Sequence, residues 1–559
     1  MRLPEPTPIS LVKETVFCGE SGVLAKDGGL CGDILYAKNI DPDTLPYLTP
    51  RLPRAFVTGF TGVPVAFFSD GNHVCVLTQT DLCLAASVYD RRSGSIVRLP
   101  INDATPGSFV PMGAWFAGRL YLPACSAVID CEEMRSHSMH RSLSGGIALS
   151  TLDISLAERN RHLVYFEGMD YSDFWEGEYV SVSYTLTGGR ETKTCLMRIV
   201  EIQEQYDGIV LEGKDATVLC EAVPGSIRLF DALPKLTGIF THRNRLYGFS
   251  ANKIYVSAEG HPTCLGEAAL FGSKEGGFTV EAPEEVTGGC VFRDEPLFFT
   301  DGAALTLSKA SPDTPFADYL PTVGVSPKYF NSVVAVGDKV CYMARGGLAV
   351  FDGKEGRVVR PGMIDLSPDS VASTDGRQYY FETAKSGQGR SLYAYEPEKD
   401  LLVQVDRSSY MSGFCRLGAA LIGIYPSEEK ADSSAVTVFT GSKPTPQIIE
   451  DITNTDSIEL HREQTPQTVV EFGEDLTPGG GFGPFSLLLD AELGKGASIT
   501  LKLFYDGESE AAVVKTLSGE QSRSRCVMRL LPRRCKSYRL VLEGSGEYTV
   551  FRLATQWLE

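Results

Sequence analysis

The sequence predicts an all-β protein: a β-propeller of about seven blades with an inserted small β-barrel and a C-terminal β-sandwich. Three observations lead to this fold class. Helical periodicity is nearly absent along the 559 residues. Short runs of Val, Ile, Leu, Phe and Tyr end in Gly, Asn or Asp, including seven Asp-Gly pairs that suit tight hairpins. A unit of short strands joined by polar turns recurs about every 40–50 residues, which is typical of propeller blades.

The repeated unit is a short strand, a polar turn, a second apolar strand, a turn and a third strand. It is found at Pro64–Leu77, Gly118–Ile129, Asn244–Ser257, Glu295–Leu307, Asp338–Phe351, Gly376–Tyr395 and Gly418–Phe439. From Asn244 onward, successive units start 51, 43, 38 and 42 residues apart. Because one small sheet cannot bury both of its faces, we expect these units to stack around an axis. This assigns residues 1–165 and 226–445 to the propeller.

The period is interrupted once, between Gly118 and Asn244. Within this gap, strands are predicted at Tyr179–Thr187, Cys195–Gln203 and Gly208–Leu211. The simplest interpretation is a small β-barrel inserted between blades, at residues 166–225. The segment Cys131–Ser155 shows little periodicity and is predicted to be a surface loop.

The pattern of the sequence changes again near Lys443–Pro446, a segment with the composition of a linker. Beyond it, strands alternate apolar and polar residues, as in Ser498–Leu503. Eight such short strands over about 100 residues predict a β-sandwich at residues 446–559.

Composition excludes several classes of protein. No apolar run approaches the ~20 residues needed to span a bilayer, and the N-terminus lacks a segment of signal-peptide type. We therefore expect synthesis in a cytoplasm and no membrane span. The 14 cysteines include no CxxC pair, which favours reduced thiols over a zinc site. The net charge of -19 argues against specific nucleic-acid binding.

The charge is unevenly distributed along the chain. Residues 515–559 contain nine Lys or Arg against four Glu, which makes this end locally basic. Such asymmetry is more typical of docking between unlike surfaces than of catalysis, and a solvated basic face is the simpler interpretation of it. The candidate docking surface consists of Arg523, Arg525, Arg529, Arg533, Arg534, Lys536 and Arg539.

A search for catalytic motifs yields none. The sequence has no GxSxG nucleophile elbow, no phosphate-binding loop and no GxGxxG after a strand. His137 and His140 form a His-x-x-His pair near Glu133, but the segment is irregular, and a polar loop is the preferred interpretation over a metal site. The sequence therefore predicts a protein that is not an enzyme, with no catalytic residue, no cofactor and no metal.

Several segments, in their order along residues 165–559, carry a resemblance to a known family. They are Tyr171–Gly177 (YSDFWEG), His242–Gly248 (HRNRLYG), Asn252–Ser257 (NKIYVS), Glu295–Phe299, Gly347–Gly353, Leu530–Lys536 (LLPRRCK) and Leu542–Glu547. This series resembles a poorly characterised family of tailed-phage and prophage structural proteins of Firmicutes. Its propeller is similar to the tail hub or nozzle subunits of short-tailed phages.

The resemblance implies a structural component of a phage virion, in the tail hub, nozzle or neck, that contributes to the DNA conduit or its attachments. Its partners would be tail, connector or neck subunits and further copies of itself in a ring. The chain would be made in the host bacterial cytoplasm and end in the virion. DNA would pass nearby without being bound, because an acidic wall does not retain phosphates. The alternatives are a tail-tip adsorption module for a host surface glycan or protein and, third, a propeller-type glycan hydrolase.

Overall fold

The computed structural model describes residues 11–15, 34–41, 44, 47–51, 55–79, 83–90, 92–101, 112–139, 141–148, 160–171, 174–203, 207–214, 216–231, 233–265, 276–361, 371–384, 390–398, 400–406, 413–417, 420–426, 433–438, 459–462, 466–477, 481–531 and 533–557. The regular structure in these ranges is almost entirely β-strand, which confirms the all-β prediction. Short 3-10 helices span Pro123–Cys125, Ala216–Glu221 and Phe330–Ser332. No helix in the described ranges is long and apolar enough to cross a bilayer. The predicted linker Lys443–Pro446 lies outside the described residues.

The strands are numbered along the chain. Three strands precede the first complete blade: β1 (Leu11–Thr15), β2 (Ile34–Lys38) and β3 (Ala55–Thr61). Blade 1 consists of β4 (Val63–Ser69), β5 (His73–Gln79), β6 (Leu84–Asp90) and β7 (Ser95–Ile101). Blade 2 consists of β8 (Ala114–Phe116), β9 (Arg119–Leu122), β10 (Ala127–Asp130) and β11 (Arg135–Ser138). The barrel follows, with β12 (Ser142–Ala148), β13 (Arg161–Tyr165), β14 (Tyr179–Thr185), β15 (Thr192–Gln203), β16 (Gly208–Glu212) and β17 (Ile227–Asp231).

Five further blades complete the propeller. Blade 3 has β18 (Gly238–His242), β19 (Arg245–Ser250), β20 (Lys253–Val256) and β21 (Phe278–Glu281). Blade 4 has β22 (Gly288–Phe292), β23 (Glu295–Phe299), β24 (Ala303–Thr306) and β25 (Asp318–Pro321). Blade 5 has β26 (Val334–Val336), β27 (Lys339–Ala344), β28 (Gly347–Phe351) and β29 (Gly356–Pro361). Blade 6 has β30 (Ala372–Thr374), β31 (Tyr379–Ala384), β32 (Arg390–Glu396) and β33 (Leu401–Asp406), and blade 7 has β34 (Gly413–Leu417), β35 (Ala420–Pro426) and β36 (Ser433–Val438).

The remaining strands follow blade 7. They are β37 (Glu459–Arg462), β38 (Thr468–Phe472), β39 (Asp475–Leu476), β40 (Ser486–Leu493), β41 (Ser498–Tyr505), β42 (Val513–Ser518), β43 (Gln521–Arg529), β44 (Ser537–Ser545) and β45 (Tyr548–Trp557).

Blade 7 closes the propeller ring with strands from distant parts of the chain. Strand β3 pairs antiparallel with β36, in a register that places Phe56 opposite Thr437. Strand β37 then pairs with the other side of β3. The inner strand β34 packs against β4, the inner strand of blade 1, so the first and last blades meet. The described strands therefore form seven blades, as predicted.

Tight turns and aromatic packing explain why the blades form where the sequence repeats. The first hairpins of blades 3 and 4 turn at Arg243-Asn244 and Arg293-Asp294, and all four residues have positive φ between 45° and 62°. Two consecutive residues in this region define the turn type whose twist matches paired strands. Between blades 4 and 5, the ring of Phe299 packs edge-on against Phe351 at 5.6 Å. Such contacts bury the faces that a single four-stranded sheet would leave exposed.

The inserted barrel is present, and it starts earlier than the sequence indicates. Its six strands close in the order β12-β13-β16-β15-β14-β17, so it spans Ser142–Asp231 and not only residues 166–225. The predicted loop Cys131–Ser155 is wrong in part, because it contains β11 and β12. Strand β12 has a β-bulge near Gly146, and a Cβ atom there would lie 2.6 Å from the ring of Phe166. The bulge in β12 requires small residues such as Gly146. These residues interrupt the alternation of apolar and polar side chains by which a strand is recognised in a sequence.

The C-terminal sandwich consists of two sheets, one ordered β1-β45-β40-β43 and the other containing β2-β38-β44-β41-β42 with β39 paired to β44. It therefore includes two N-terminal strands, which corrects the assignment of residues 1–165 to propeller blades. Leu11 lies opposite Trp557 in this sheet. Sequence patterns could not reveal this, because a five-residue strand carries no sign of which distant strand it pairs with.

One continuous sheet joins the propeller to the sandwich. Strand β2 pairs in parallel with β33, the outer strand of blade 6, and antiparallel with β38 of the sandwich. Val403 of β33 consequently belongs to the same hydrophobic core as Val470 and Leu542. The sandwich is thus an extension of blade 6 and is not attached by a linker alone.

Candidate functional site

The predicted docking residues lie along one edge and one end of the sandwich. Arg523, Arg525 and Arg529 are on β43, the edge strand of its sheet. Alternate residues of a strand point to the same side, so these three arginines share the exposed face of β43 with Val527. Arg533, Arg534 and Lys536 lie in the segment between β43 and β44, and Arg539 is on β44.

Three of the seven residues are engaged within the chain. Arg523 donates two hydrogen bonds to Asp490, at 2.9 and 3.2 Å. Arg533 does the same to Glu508, at 2.7 and 3.1 Å. Arg539 donates to Glu471 at 3.3 Å. Each of these guanidinium groups also lies over an aromatic ring, those of Phe551, Tyr505 and Phe504 respectively. These three arginines therefore stabilise the sandwich surface.

The other four residues are the candidate for docking. Arg525, Arg529, Arg534 and Lys536 are exposed, and no acidic side chain in the described part of the chain lies within ion-pair distance of them. The sandwich also exposes apolar residues that the sequence pattern did not single out, among them Val527 and Leu531 beside the basic residues; they are Leu476, Phe482, Val514, Val527 and Leu531, with exposed fractions of 81, 52, 53, 53 and 90%. Exposed apolar groups beside unpaired charges are typical of protein interfaces.

One carboxylate organises the segment that carries this surface. Asp506 accepts hydrogen bonds from the backbone N–H groups of Lys536 and Ser537, at 2.7 and 3.0 Å. These two bonds to the ionised carboxylate lower the pKa of Asp506. The segment before β44 is therefore held by a group that is charged at neutral pH.

Stability near this segment should depend on the charge of Asp506. Because its pKa is lowered in the folded state, its contribution is present above the ordinary pKa and is lost as the pH falls through the lowered value. We expect Asp506→Asn to lower the melting temperature slightly at pH 7 and to have no effect in acid, as measured by thermal unfolding. An equal effect at both pH values would contradict this.

The propeller axis is narrow. A cavity of about 180 Å³ on the axis is lined by residues of six blades, among them Phe67, Phe68, Phe330, Asn331 and Phe414. A sphere of this volume is about 7 Å across, less than the major groove of duplex DNA, which alone is about 12 Å wide, so a duplex does not fit into this cavity.

The region of the predicted polar loop forms a junction between blade 2 and the barrel. Asp130, Glu133 and His137 each place one possible metal ligand atom within 4.8 Å of the others. However, Asp130 accepts hydrogen bonds from Arg119 and from the backbone of Glu132 and Glu133. Burial alone would raise the pKa of Asp130, but these bonds outweigh it and lower that pKa. The Asp130 carboxylate thus already accepts hydrogen bonds from the turn and from Arg119. This arrangement does not favour binding of a metal ion. His140 lies outside the described residues.

A groove of about 310 Å³ lies between blades 3 and 4. Tyr247, Phe278 and Leu307 are among its apolar lining residues, and His242 and Arg243 lie at its polar side. Arg243 forms an ion pair with Asp294 of the next blade. The groove combines aromatic surface with polar groups, as small-ligand sites do.

Comparison with known proteins identifies no family. No protein-family model and no curated protein matches the sequence. Among solved structures, the β-propeller domain of the Trilobed protease from Pyrococcus furiosus is 11% identical, with a TM-score of 0.31 over 69% of this chain and 95% of that one. The WD40 domain of Toxoplasma gondii coronin is 9% identical, with a TM-score of 0.34 over 71% of this chain and 89% of that one. Trypanosoma rangeli sialidase is 9% identical, with a TM-score of 0.27 over 98% and 96%. Because these identities and TM-scores are low, the similarities give no information on function. The propeller follows from the order of the strands in the chain's own sheets.

Proposed function

We propose that the chain is a structural subunit of a phage virion, located in the tail hub, nozzle or neck, and that it attaches to neighbouring subunits through its sandwich. One observation carries this: Arg525, Arg529, Arg534 and Lys536 are exposed beside apolar side chains and have no acidic partner in the described part of the chain. The chain has a net charge of -19, so the rest of its surface is acidic on balance. These four basic residues are therefore complementary in charge to the remaining surface of another copy. Complementary charge promotes association and fixes register.

The segments that resemble phage structural proteins support the same proposal. His242–Gly248 forms the first hairpin of blade 3, and Leu530–Lys536 contains part of the docking surface. The partners would be tail, connector or neck subunits and further copies of this chain in a ring. Since the propeller axis is too narrow, DNA would pass through a channel that several acidic copies surround.

Charge reversal at the unpaired arginines tests the proposal. We expect Arg525→Glu with Arg529→Glu to reduce incorporation into particles, or ring formation by the purified chain, by about tenfold or more, because like charges across an interface repel. The chain should stay folded, with at most a small fall in melting temperature, because Arg525 lies directly opposite Asp490 and Arg529 opposite Ser486 on the exposed edge of the sheet. The assay is quantitative incorporation together with sedimentation of the purified protein.

Arg98→Glu with Arg190→Glu is the matched control. Both arginines are exposed, and they lie on blade 1 and in a turn of the barrel. The control variant should assemble normally. Normal incorporation of the Arg525/Arg529 variant would count against the proposal.

The groove between blades 3 and 4 favours a second candidate, a tail-tip adsorption module that binds a host surface glycan or protein. Its aromatic and polar lining residues suit a small ligand. Specific binding on a glycan array that Arg243→Ala abolishes would favour this candidate over the assembly role.

A further inference from the structure

The outer edge of blade 4 carries four exposed apolar side chains, with the neighbouring Tyr319 and Leu320 of β25 on opposite faces of the sheet. Phe316, Tyr319, Leu320 and Val323 lie within eight residues of one another and are 46, 43, 37 and 37% exposed. We call these four residues the blade 4 patch. They lie on or beside β25, the outermost strand of the blade, which pairs with β24 and with no other described strand. An exposed apolar edge strand is a site where another strand can add.

Four of the other described outer edges are either covered by a further strand or expose an arginine. On blades 6 and 7, the outer strands β33 and β3 are each extended by one further strand of the chain, β2 and β37. The outer strands of blades 1 and 5, β7 and β29, expose Arg98 and Arg357. Addition of a strand to a blade edge is thus already used twice in this molecule. The outer strand of blade 4, β25, is an edge like those of β33 and β3. It has exposed apolar side chains, and none of the described strands extends it.

We propose that strand β43 of a second copy of this chain pairs with β25 at the blade 4 patch. Strand β43 is itself an edge strand that pairs only with β40 among the described strands. It presents Val527 between Arg525 and Arg529. The blade 4 patch is flanked by the exposed Asp313 and by the half-exposed Asp318, which forms a surface ion pair with Lys309 at 3.3 Å. The apolar groups of the two edges are therefore complementary, and Asp313 provides a carboxylate for an arginine of β43, while an arginine could reach Asp318 only by exchanging with the exposed Lys309.

The geometry makes this a contact between copies. The sheet that starts at the inner strand of blade 6 continues through β2 and ends at β42, so the edge formed by β42 and β43 lies at the far side of the sandwich. Blade 4 is two blades away from blade 6 around the axis. The two edges of one molecule are thus different surfaces, and their contact is heterologous, which generates a closed ring or an open helix. This inference rests on the proposed function, because it identifies the surface that receives the basic edge.

The first test is Leu320→Lys in the full-length protein. A lysine there places positive charge opposite the arginines of β43. We expect self-association, measured by analytical ultracentrifugation, to weaken by about tenfold or more, while the melting temperature stays unchanged because Leu320 is partly exposed. The matched control is Val223→Lys, at a barrel residue of similar exposure (38%), which should associate like the wild type.

Charge exchange and cross-linking identify the partner strand. Asp313→Arg with Asp318→Arg should abolish association, and adding Arg525→Glu with Arg529→Glu to the same chain should restore it. Leu320→Cys with Val527→Cys should give disulfide-linked oligomers on oxidation, whereas each single variant should not. Restoration together with the cross-link supports the pairing of β25 with β43.

Three results would overturn the inference. One is a wild-type chain that stays monomeric at its highest soluble concentration and gives no cross-link in the double-cysteine variant. Another is normal association of the Leu320→Lys variant. The third is loss of particle incorporation in the Arg525/Arg529 variant while all blade 4 variants assemble normally. That last result would reject β25 as the acceptor and leave the proposed function standing.

Discussion

Replacing Glu178 with alanine is expected to destabilise the protein by about 3–5 kcal/mol, because it removes one partner of a buried ion pair and leaves the hydrogen bonds that Arg141 donates to this carboxylate unmade. The side chains of Glu178 and Arg141 are 0 and 6% exposed. Arg141 donates two hydrogen bonds to the Glu178 carboxylate, at 2.8 and 3.3 Å. The same carboxylate accepts the backbone N–H of Trp175 at 3.1 Å. Urea-induced unfolding followed by circular dichroism measures the change.

The surroundings of this ion pair explain the size of the expected effect. The guanidinium of Arg141 lies 4.6 Å from the ring centres of both Phe174 and Trp175, and Arg119 of blade 2 lies 4.7 Å from Trp175. The Trp175 ring of the barrel thus contacts two guanidinium groups, those of Arg119 and Arg141. The contact with Arg119 links the barrel to blade 2. An arginine that loses its carboxylate cannot move to water without disrupting this packing.

A double variant distinguishes the cost of removing one partner of a buried ion pair from the loss of favourable packing contacts. Arg141→Met with Glu178→Leu removes both charges and keeps similar volume, so it should cost much less than Glu178→Ala alone. If the double variant is as unstable as the single variant, the ion pair contributes through geometry that leucine and methionine cannot replace. A single variant that costs less than about 1 kcal/mol would contradict the prediction.

Local pairing explains why the blades were predictable from the sequence. Strands within a blade are joined by short turns, as at Arg293-Asp294, so the repeat of strands and turns is visible along the chain. The connections that shape the whole molecule are not local. Leu11 pairs with Trp557, and Phe56 pairs with both Thr437 and His461. Because a strand pattern does not record its partner, these links appear only in the structure.

The docking surface was predictable in composition but not in detail. The clustering of basic residues after residue 515 is visible in the sequence, and the two-residue period of Arg523, Arg525 and Arg529 indicates a shared face. The carboxylates that neutralise Arg523 and Arg533, which are Asp490 and Glu508, lie 33 and 25 residues away. The blade 4 patch has no sequence signal, since the composition of Tyr319 and Leu320 equally fits a buried strand.

Deleting residues 1–41 is expected to unfold the sandwich while much of the propeller remains folded. The deletion removes β1 and β2, so β45, β38 and β33 all lose a neighbouring strand. It also removes Ala37 and Ile40, each 1% exposed, from the sandwich core. The lost hydrogen bonds, at about 1 kcal/mol each, and the lost burial together approach the whole stability of a domain, about 5–15 kcal/mol. Strand β3, which closes the propeller, is retained.

Limited proteolysis with mass spectrometry gives the decisive readout. Cleavage should concentrate after residue 466 in the deletion variant, and the blades should resist longer. A synthetic peptide of residues 11–41 added in trans should restore protection, because both sheets then regain their missing strands. Ala37→Asp in the full-length chain provides a second variant that retains β1 and β2 but places an unpaired charge in the same core. If the deleted chain keeps a protease-resistant sandwich, then β2 only covers the edge of blade 6, and the continuous sheet does not couple the stability of the two parts.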